Sequence, residues 1–335
     1  MTGYLVRRLF LLLPTVFGAL SFLFFVFFLL PGDPAELLSG GSGRVVDPGV
    51  VERTRERYGL DDPVLVQFKD YWDRTVHWDL GESFVNGRSV NEILGDRAVA
   101  SLRLGIWAVI IEVVVGISVG LLSAIRRYSI QDTATTVLTA AAAAIPVFVL
   151  GFVLQQLFAV QPFKNDWPDW ARLRVQGIGP DSWTFFFIPT GEQWRYLVLP
   201  AVTLASVSTA LATRMMRGSM LEVLRADYMR TARAKGLRER SVVLRHGLRN
   251  ALIPVVTLIG IDFGTVIGSA ILTETVFNWP GLGSQIASAV QSRDAPVVLG
   301  LTLAVVVAYT VINLLVDLSY AWFDPRIRLG ESESR

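Results

Sequence analysis

The chain has 335 residues, of which 52% are hydrophobic and only 18% are charged, with a mean hydropathy of +0.47. That balance excludes an ordinary soluble domain, and a net charge of +2 gives no reason to expect a nucleic-acid partner. No cysteine is present and the only histidines are His77 and His246, so disulfide staples, thiolate chemistry and Cys-based metal sites are excluded.

The first apolar run, Leu9–Leu30, carries no charge. A helix needs about 20 apolar residues to cross the hydrocarbon core. Arg7 and Arg8 precede the run, as in a secretory signal, but it exceeds the roughly 7–15 apolar residues of a cleaved signal. It is therefore expected to be retained, so that 1–30 forms an N-terminus and first span. Residues 31–100 follow, with more acidic than basic residues. VVERTRERYGL and PVLVQFKDYWDRTV repeat apolar residues at helical spacing and predict short amphipathic helices. About 70 residues without disulfides make a marginal core, so a solvated helical lid is expected here rather than a separate binding domain.

Five further apolar runs follow within 101–320. Leu104–Ile125 contains Glu112, and Thr133–Val160 contains Pro146 after the alanine run Ala140–Ala144. The proline predicts a kink. Leu197–Met216 holds Arg214 near its end, Ala251–Thr273 holds Asp262, and Val297–Val316 is uncharged. Trp183–Pro189 is apolar but too short to span, and its Trp and Phe suit the interface. Six spans place both termini on one side. The alternating segments 1–8, 126–132, 214–250 and 321–335 carry 17 of the 31 Lys and Arg residues, against 13 in the much longer 31–100, 161–196 and 274–296. The positive-inside rule makes the first set, including the tail 321–335, cytoplasmic.

Lys69, Lys164 and Lys235 follow Phe, Phe and Ala, so none completes a phosphate-binding G-x-x-x-x-G-K-[ST]. Gly116-Ile-Ser118-Val-Gly120 matches G-x-S-x-G. It reads either as an intramembrane nucleophile or as a small-x-x-x-small packing face. The catalytic reading needs a histidine in a neighbouring span, and neither histidine lies in one. Gly260, Gly264 and Gly268 recur every four residues and predict a second packing face, static or moving. Glu112, Arg214 and Asp262, with Gln155 and Gln156 as weaker cases, should face a cavity or a partner, because such groups cost several kcal/mol against lipid. A translocation pathway and a structural pair both satisfy that requirement.

The segment 228–254, YMRTARAKGLRERSVVLRHGLRNALIP, carries Arg230, Arg233, Lys235, Arg238, Arg240, Arg245 and Arg249, with His246 beside them. Gly236 interrupts a helix-forming stretch as a C-terminal cap would. A second helical piece, Glu239–Arg249, leads to Asn250 and Pro254 at the start of the fifth span. Contact with anionic lipid explains the charge. It does not explain the small residues Thr231, Ala232 and Ala234 beside a glycine, which suit docking into another protein's groove.

RTARAKGL followed by HGLRNALIPVVT resembles the cytoplasmic coupling loop of ABC-transporter permeases of the dipeptide/oligopeptide importer family. The resemblance covers nearly the whole chain: YLVRRL, LPGDPAELL, YGLDDPVLVQFKDYW, WDLGESF, ILTETVFNWPGLGSQIASAVQSRDAPVVLG and NLLVDLSYAWFDPRIR all take part. Arg230-Thr231-Ala232 stands where the general importer pattern has Glu-Ala-Ala, and Leu248-Arg249 where it has Leu-Pro, with the proline delayed to Pro254. Both changes are usual in the peptide branch. WDLG replaces the more familiar GDLG, and RAVASLRL is an odd entry to the second span.

The resemblance implies an all-α polytopic membrane protein of the bacterial plasma membrane. Its expected fold is six transmembrane helices in a type I ABC importer permease, with an outer helical segment after the first span. It implies a transport subunit with no cofactor of its own. ATP and Mg would be bound by two cytoplasmic ATPase subunits, a second homologous permease would complete the pathway, and an extracytoplasmic peptide-binding protein would deliver cargo. The coupling loop lies within 217–250 and runs on to Pro254. Thr231, Ala232, Ala234 and Gly236 would be its docking surface and hinge. Tyr228, Leu237, His246 and Asn250 complete the motif, and the arginines would contact the ATPase. Nickel, glutathione or haem are alternative cargoes on the same architecture. A membrane protease or a scaffold is the alternative outside transport.

Overall fold

A computed structural model describes residues 2–29, 49, 52, 55, 61–179 and 183–323. LPGDPAELL, most of VVERTRERYGL and the tail beyond 323 lie outside them. The regular structure of the described residues is helical apart from one small hairpin and an isolated bridge between Glu82 and Ser89. Helix α1 is Thr2–Leu29, α2 Val64–Val76 and α3 Val90–Ile111, which continues through a π turn, Glu112–Gly116, into α4, Ile117–Ile125. Next come α5, Ile130–Ala144, α6, Val147–Gln155, a π turn, and the short α7, Gln161–Lys164. After the hairpin, α8 is Gln193–Leu224, α9 Asp227–Ala234 and α10 Glu239–Ser241. A π turn, Val242–Gly247, then leads into α11, Leu248–Val276; α12 is Leu282–Gln291 and α13 Ala295–Phe323.

Five helical stretches are long and apolar enough to cross a membrane among the described residues: Val90–Ile125, Val147–Lys164, Gln193–Leu224, Glu239–Asp262 and Ala295–Val316. Helix α1 adds the apolar stretch Leu13–Val26.

The run Thr133–Val160 is not one kinked helix. It breaks between Ala144 and Val147, with Ile145 at ψ 127° and Pro146 at ψ 135°. Proline disfavours α geometry in the residue before it and starts a new helix readily. The sequence places Pro254 at the start of the fifth span, within a few residues of where the helix begins. Helix α11 begins earlier, at Leu248, and carries the proline in its interior. Trp183–Pro189 forms an antiparallel hairpin, β1 Trp183–Thr184 with β2 Ile188–Pro189, in which Trp183 faces Pro189. Arg103 holds it in place: its guanidinium lies 4.4 Å from the Trp183 ring centre, and its Nε donates to the Phe186 carbonyl at 2.7 Å.

The described residues group into two compact units. One combines the chain up to Val99 with Gly281–Val311. Its core joins Leu20, Leu80, Val90, Ile93, Val297 and Leu301. Helix α2 is attached to α1 through aromatic rings, Phe17 on Trp72 at 4.8 Å and Phe24 on Tyr71 at 5.5 Å. This part of the expected solvated lid is therefore packed on the first helix, because the apolar stripe that makes α2 amphipathic needs a partner face. Two quoted motifs, WDLGESF and SRDAPVV, turn out to be one joint. The buried Asp294 carboxylate accepts from Ser83 Oγ at 2.5 Å and from the Phe84 amide at 3.0 Å. Asp294→Ala orphans both donors and is expected to destabilise this unit by about 2 kcal/mol. The fall should appear as a lower melting temperature in detergent; an unchanged value would remove the joint's structural weight.

The other unit is centred on α8, which packs against α4, α5, α6 and α11. Small residues make that possible. A Cβ on Gly116 would lie 2.8 Å from the Ala212 Cβ, and one on Gly120 would lie 2.6 Å from the Thr213 carbonyl oxygen. Ser118 of the same motif is exposed, off this packed face.

Candidate functional site

Helix α9 is short and amphipathic. Asp227 places an acid in its first turn and Arg233 a base in its last, both favourable to the helix dipole. Met229 and Ala232, three residues apart, point inward and join Val242, Val223 and Leu224 in a small apolar cluster. Thr231, Ala234, Lys235 and Leu237 stay exposed. The docking surface expected from the sequence is thus divided. Ala232 is 7% exposed and anchors the helix to its own chain, while Thr231 and Ala234 remain available. Gly236 adopts φ +73°, and its amide donates to the Arg233 carbonyl at 2.9 Å. That is the left-handed cap of a helix end, where glycine carries no Cβ penalty. The helix cap expected at Gly236 from the sequence is thus present.

Polar ties hold the loop. Arg233 grips Glu239 across the Gly236 turn, with N–O distances of 2.9 and 3.1 Å. Arg230 pairs with Asp227 at 3.0 Å on the exposed side. Asn250 Nδ2 donates to both the Tyr228 hydroxyl and the His246 carbonyl, each at 3.0 Å. The structure thus brings Tyr228, His246 and Asn250 together and leaves Arg249 exposed. Sequence reasoning missed Met229, Glu239 and Gly247. A Cβ on Gly247 would lie 2.7 Å from Met220 Cε and 3.2 Å from Met229 Cε, so α9, the π turn and α8 meet at one joint.

A second joint was also missed. Asp132, 4% exposed at the start of α5, accepts from Arg217 Nε at 2.6 Å and Nη2 at 2.9 Å. Ser123 Oγ of α4 donates to it at 2.5 Å and the Tyr128 amide at 2.9 Å. The readable signal was Ser129-x-x-Asp132, a capping pattern in which Ser129 Oγ accepts from the Asp132 amide. The Arg217 and Ser123 hydrogen bonds hold the Asp132 carboxyl well below the usual carboxylate range. Stability from a lowered carboxyl is present above its unfolded value, about 3.9, and is lost as pH falls through the folded value. The melting-temperature gap between the native chain and Asp132→Asn should therefore stay constant from about pH 5 to 8 and close only in stronger acid. A gap that closes near neutrality would contradict this assignment.

The polar residues expected inside spans take different places. Gln155 is buried and donates to the carbonyls of Val175 at 3.0 Å and Val276 at 3.1 Å, which makes it a brace between segments. Gln156 and Arg214 are exposed. Glu112 is fully buried at the start of its π turn, with no hydrogen-bond partner among the described residues, and Asp262 lies within electrostatic reach. Gly260 is half-buried, whereas a Cβ on Gly268 would meet no atom within 4 Å. Among the described residues no helix uses Gly268 for close packing, and the surroundings of Gly264 lie outside the described residues.

A family model described as "Binding-protein-dependent transport system inner membrane component" matches residues 116–329, and its N-terminal companion matches 1–105. The glutathione transport system permease proteins GsiC of Pectobacterium atrosepticum and Escherichia coli (strain K12) are each 38% identical over 328 residues, 98% of this chain and 99% of theirs. In fold, the chain is similar to the MetNI methionine ABC transporter in its inward-facing form. That likeness has a TM-score of 0.52 at 17% identity over 69% of this chain and 96% of that one. Those matches agree with the multi-pass helical architecture. The chain belongs to the family of inner-membrane permease components of binding-protein-dependent ABC importers, and is a transport subunit rather than an enzyme.

Proposed function

We propose that this chain is one half of the pathway of an ATP-driven importer of short peptides, coupled to its engine through α9. The observation that carries the coupling is the division of α9. Met229 and Ala232 anchor it to its own chain, and Thr231, Ala234 and Lys235 are left open. A helix fixed from within and bare outside suits insertion into a partner's groove. The chain lacks a phosphate-binding loop, so ATP and Mg belong to the partner, read here as two cytoplasmic ATPase subunits. A second homologous permease completes the pathway, and an external binding protein delivers cargo. Both termini and 217–250 are cytoplasmic on the distribution of Lys and Arg. Nucleotide-driven movement of the ATPases displaces α9, and cargo shifts the inward–outward equilibrium only through different affinity for the two states.

Glutathione, itself a tripeptide, is the cargo that identity to the GsiC permeases favours within this class. The test is uptake of labelled glutathione into vesicles holding the complete transporter and its binding protein. Unlabelled dipeptides, longer peptides, nickel and haem serve as competitors. Competition by peptides and glutathione supports the reading. Competition by nickel or haem alone overturns the cargo and leaves the coupling intact.

A further inference from the structure

We infer that Asp132 and Arg217 are positioning residues for coupling, carrying the displacement of α9 into the α4–α5 segment; the inference rests on the docking role of α9 proposed above. The end of α8 bears two joints one helical turn apart. At Met220 it reaches Gly247 of the π turn, beside Met229 of α9, and Val223 and Leu224 pack against the Met229 cluster. At Arg217 it grips the buried Asp132, to which Ser123 of α4 also donates. Arg217 and Met220 are three residues apart on one continuous helix, so they share a face and move as one body.

The ionic joint has a property an apolar one lacks. A bidentate guanidinium–carboxylate pair fixes angle as well as distance, while flexible methionines yield to small shifts. The methionine joint therefore seats α9 against α8, and the ion pair passes rotation of the α8 end to the α4–α5 turn. Ser129 reinforces this transfer by capping α5 on the same aspartate's amide. Lysine at 217 would keep the charge and lose the fork.

The experiment uses the complete transporter in lipid vesicles, with ATP hydrolysis and cargo uptake measured in the same sample. The variants are Arg217→Lys, Asp132→Asn and the exchange of Asp132→Arg with Arg217→Asp. Ala234→Trp on the open face of α9 serves as the docking control. The expected result for Arg217→Lys and Asp132→Asn is that ATPase subunits still co-purify and ATP hydrolysis persists. Cargo taken up per ATP falls about tenfold, the scale of a typical coupling energy. The exchange recovers part of that ratio. An unchanged ratio in Arg217→Lys and Asp132→Asn overturns the inference and leaves the docking reading standing. Joint loss of assembly, hydrolysis and uptake in all three variants also overturns it, since the pair is then structural only. Full uptake in Ala234→Trp overturns both.

Discussion

Gly120→Val is expected to prevent the second compact unit from packing. A Cβ at 120 would lie 2.6 Å from the Thr213 carbonyl oxygen and 2.7 Å from the Met216 Cβ. Neither atom can retreat, because one is backbone of the central helix and the other is fixed to it. Even alanine would force α4 and α8 apart, and valine adds two methyl groups at the same point. Overpacking costs about 1–3 kcal/mol where side chains can adjust, and a backbone neighbour places this site at or above the upper end. The readout is yield and melting temperature after size-exclusion chromatography in detergent. Gly105→Val is the control, since a Cβ there meets nothing within 4 Å. Native-like melting of Gly120→Val would show that α4 and α8 do not approach as closely as described.

Gly247→Leu is expected to act on coupling rather than on folding. The atoms an added Cβ would meet here, Met220 Cε and Met229 Cε, are the ends of flexible side chains. Alanine should be accommodated by rotation of the methionines, at about 1 kcal/mol or less. Leucine needs the volume both methionines occupy, and Met229 can yield it only by lifting α9 from its seat. Cargo uptake should fall by about tenfold or more, while Gly247→Ala stays within about twofold of the native chain. Equal uptake by the alanine and leucine variants would mean that the seat of α9 does not govern transport. The contrast between Gly120 and Gly247 follows from what each glycine touches, since a carbonyl cannot yield and a thioether methyl can.

Much of this is legible in the amino-acid sequence. The apolar runs fall on long helices, because burying backbone in lipid leaves helices as the solution for such runs, although Thr133–Val160 breaks at Pro146 and the stretch long enough to cross there is Val147–Lys164. The glycine after RTARAK announced a helix end, and φ +73° at Gly236 is the geometry that such an end requires. Contacts made between distant segments were harder. Ala232 and Thr231 are both small and adjacent in sequence, and nothing local says that one anchors α9 while the other faces out. That depended on Val242, ten residues away, on a π turn that no simple periodicity predicts. Asp132 and Arg217 are 85 residues apart, and each reads locally as an ordinary charge at a helix end. Gln155 is open to two readings in the sequence, a pathway residue or a structural partner, because either satisfies a polar group in a span. It satisfies two carbonyls, one of them near the end of α11.

The central claim is that the open face of α9 receives the ATPase. A photo-crosslinking residue placed at Ala234 tests it most directly in the assembled transporter. Phe185, 80% exposed at the tip of the β1–β2 hairpin, serves as the comparison position. The account predicts that Ala234 captures an ATPase subunit and Phe185 captures none, because the positive-inside assignment puts the hairpin across the membrane from α9. Capture of the ATPase from Phe185 but not from Ala234 would contradict both the docking face and the orientation of the chain.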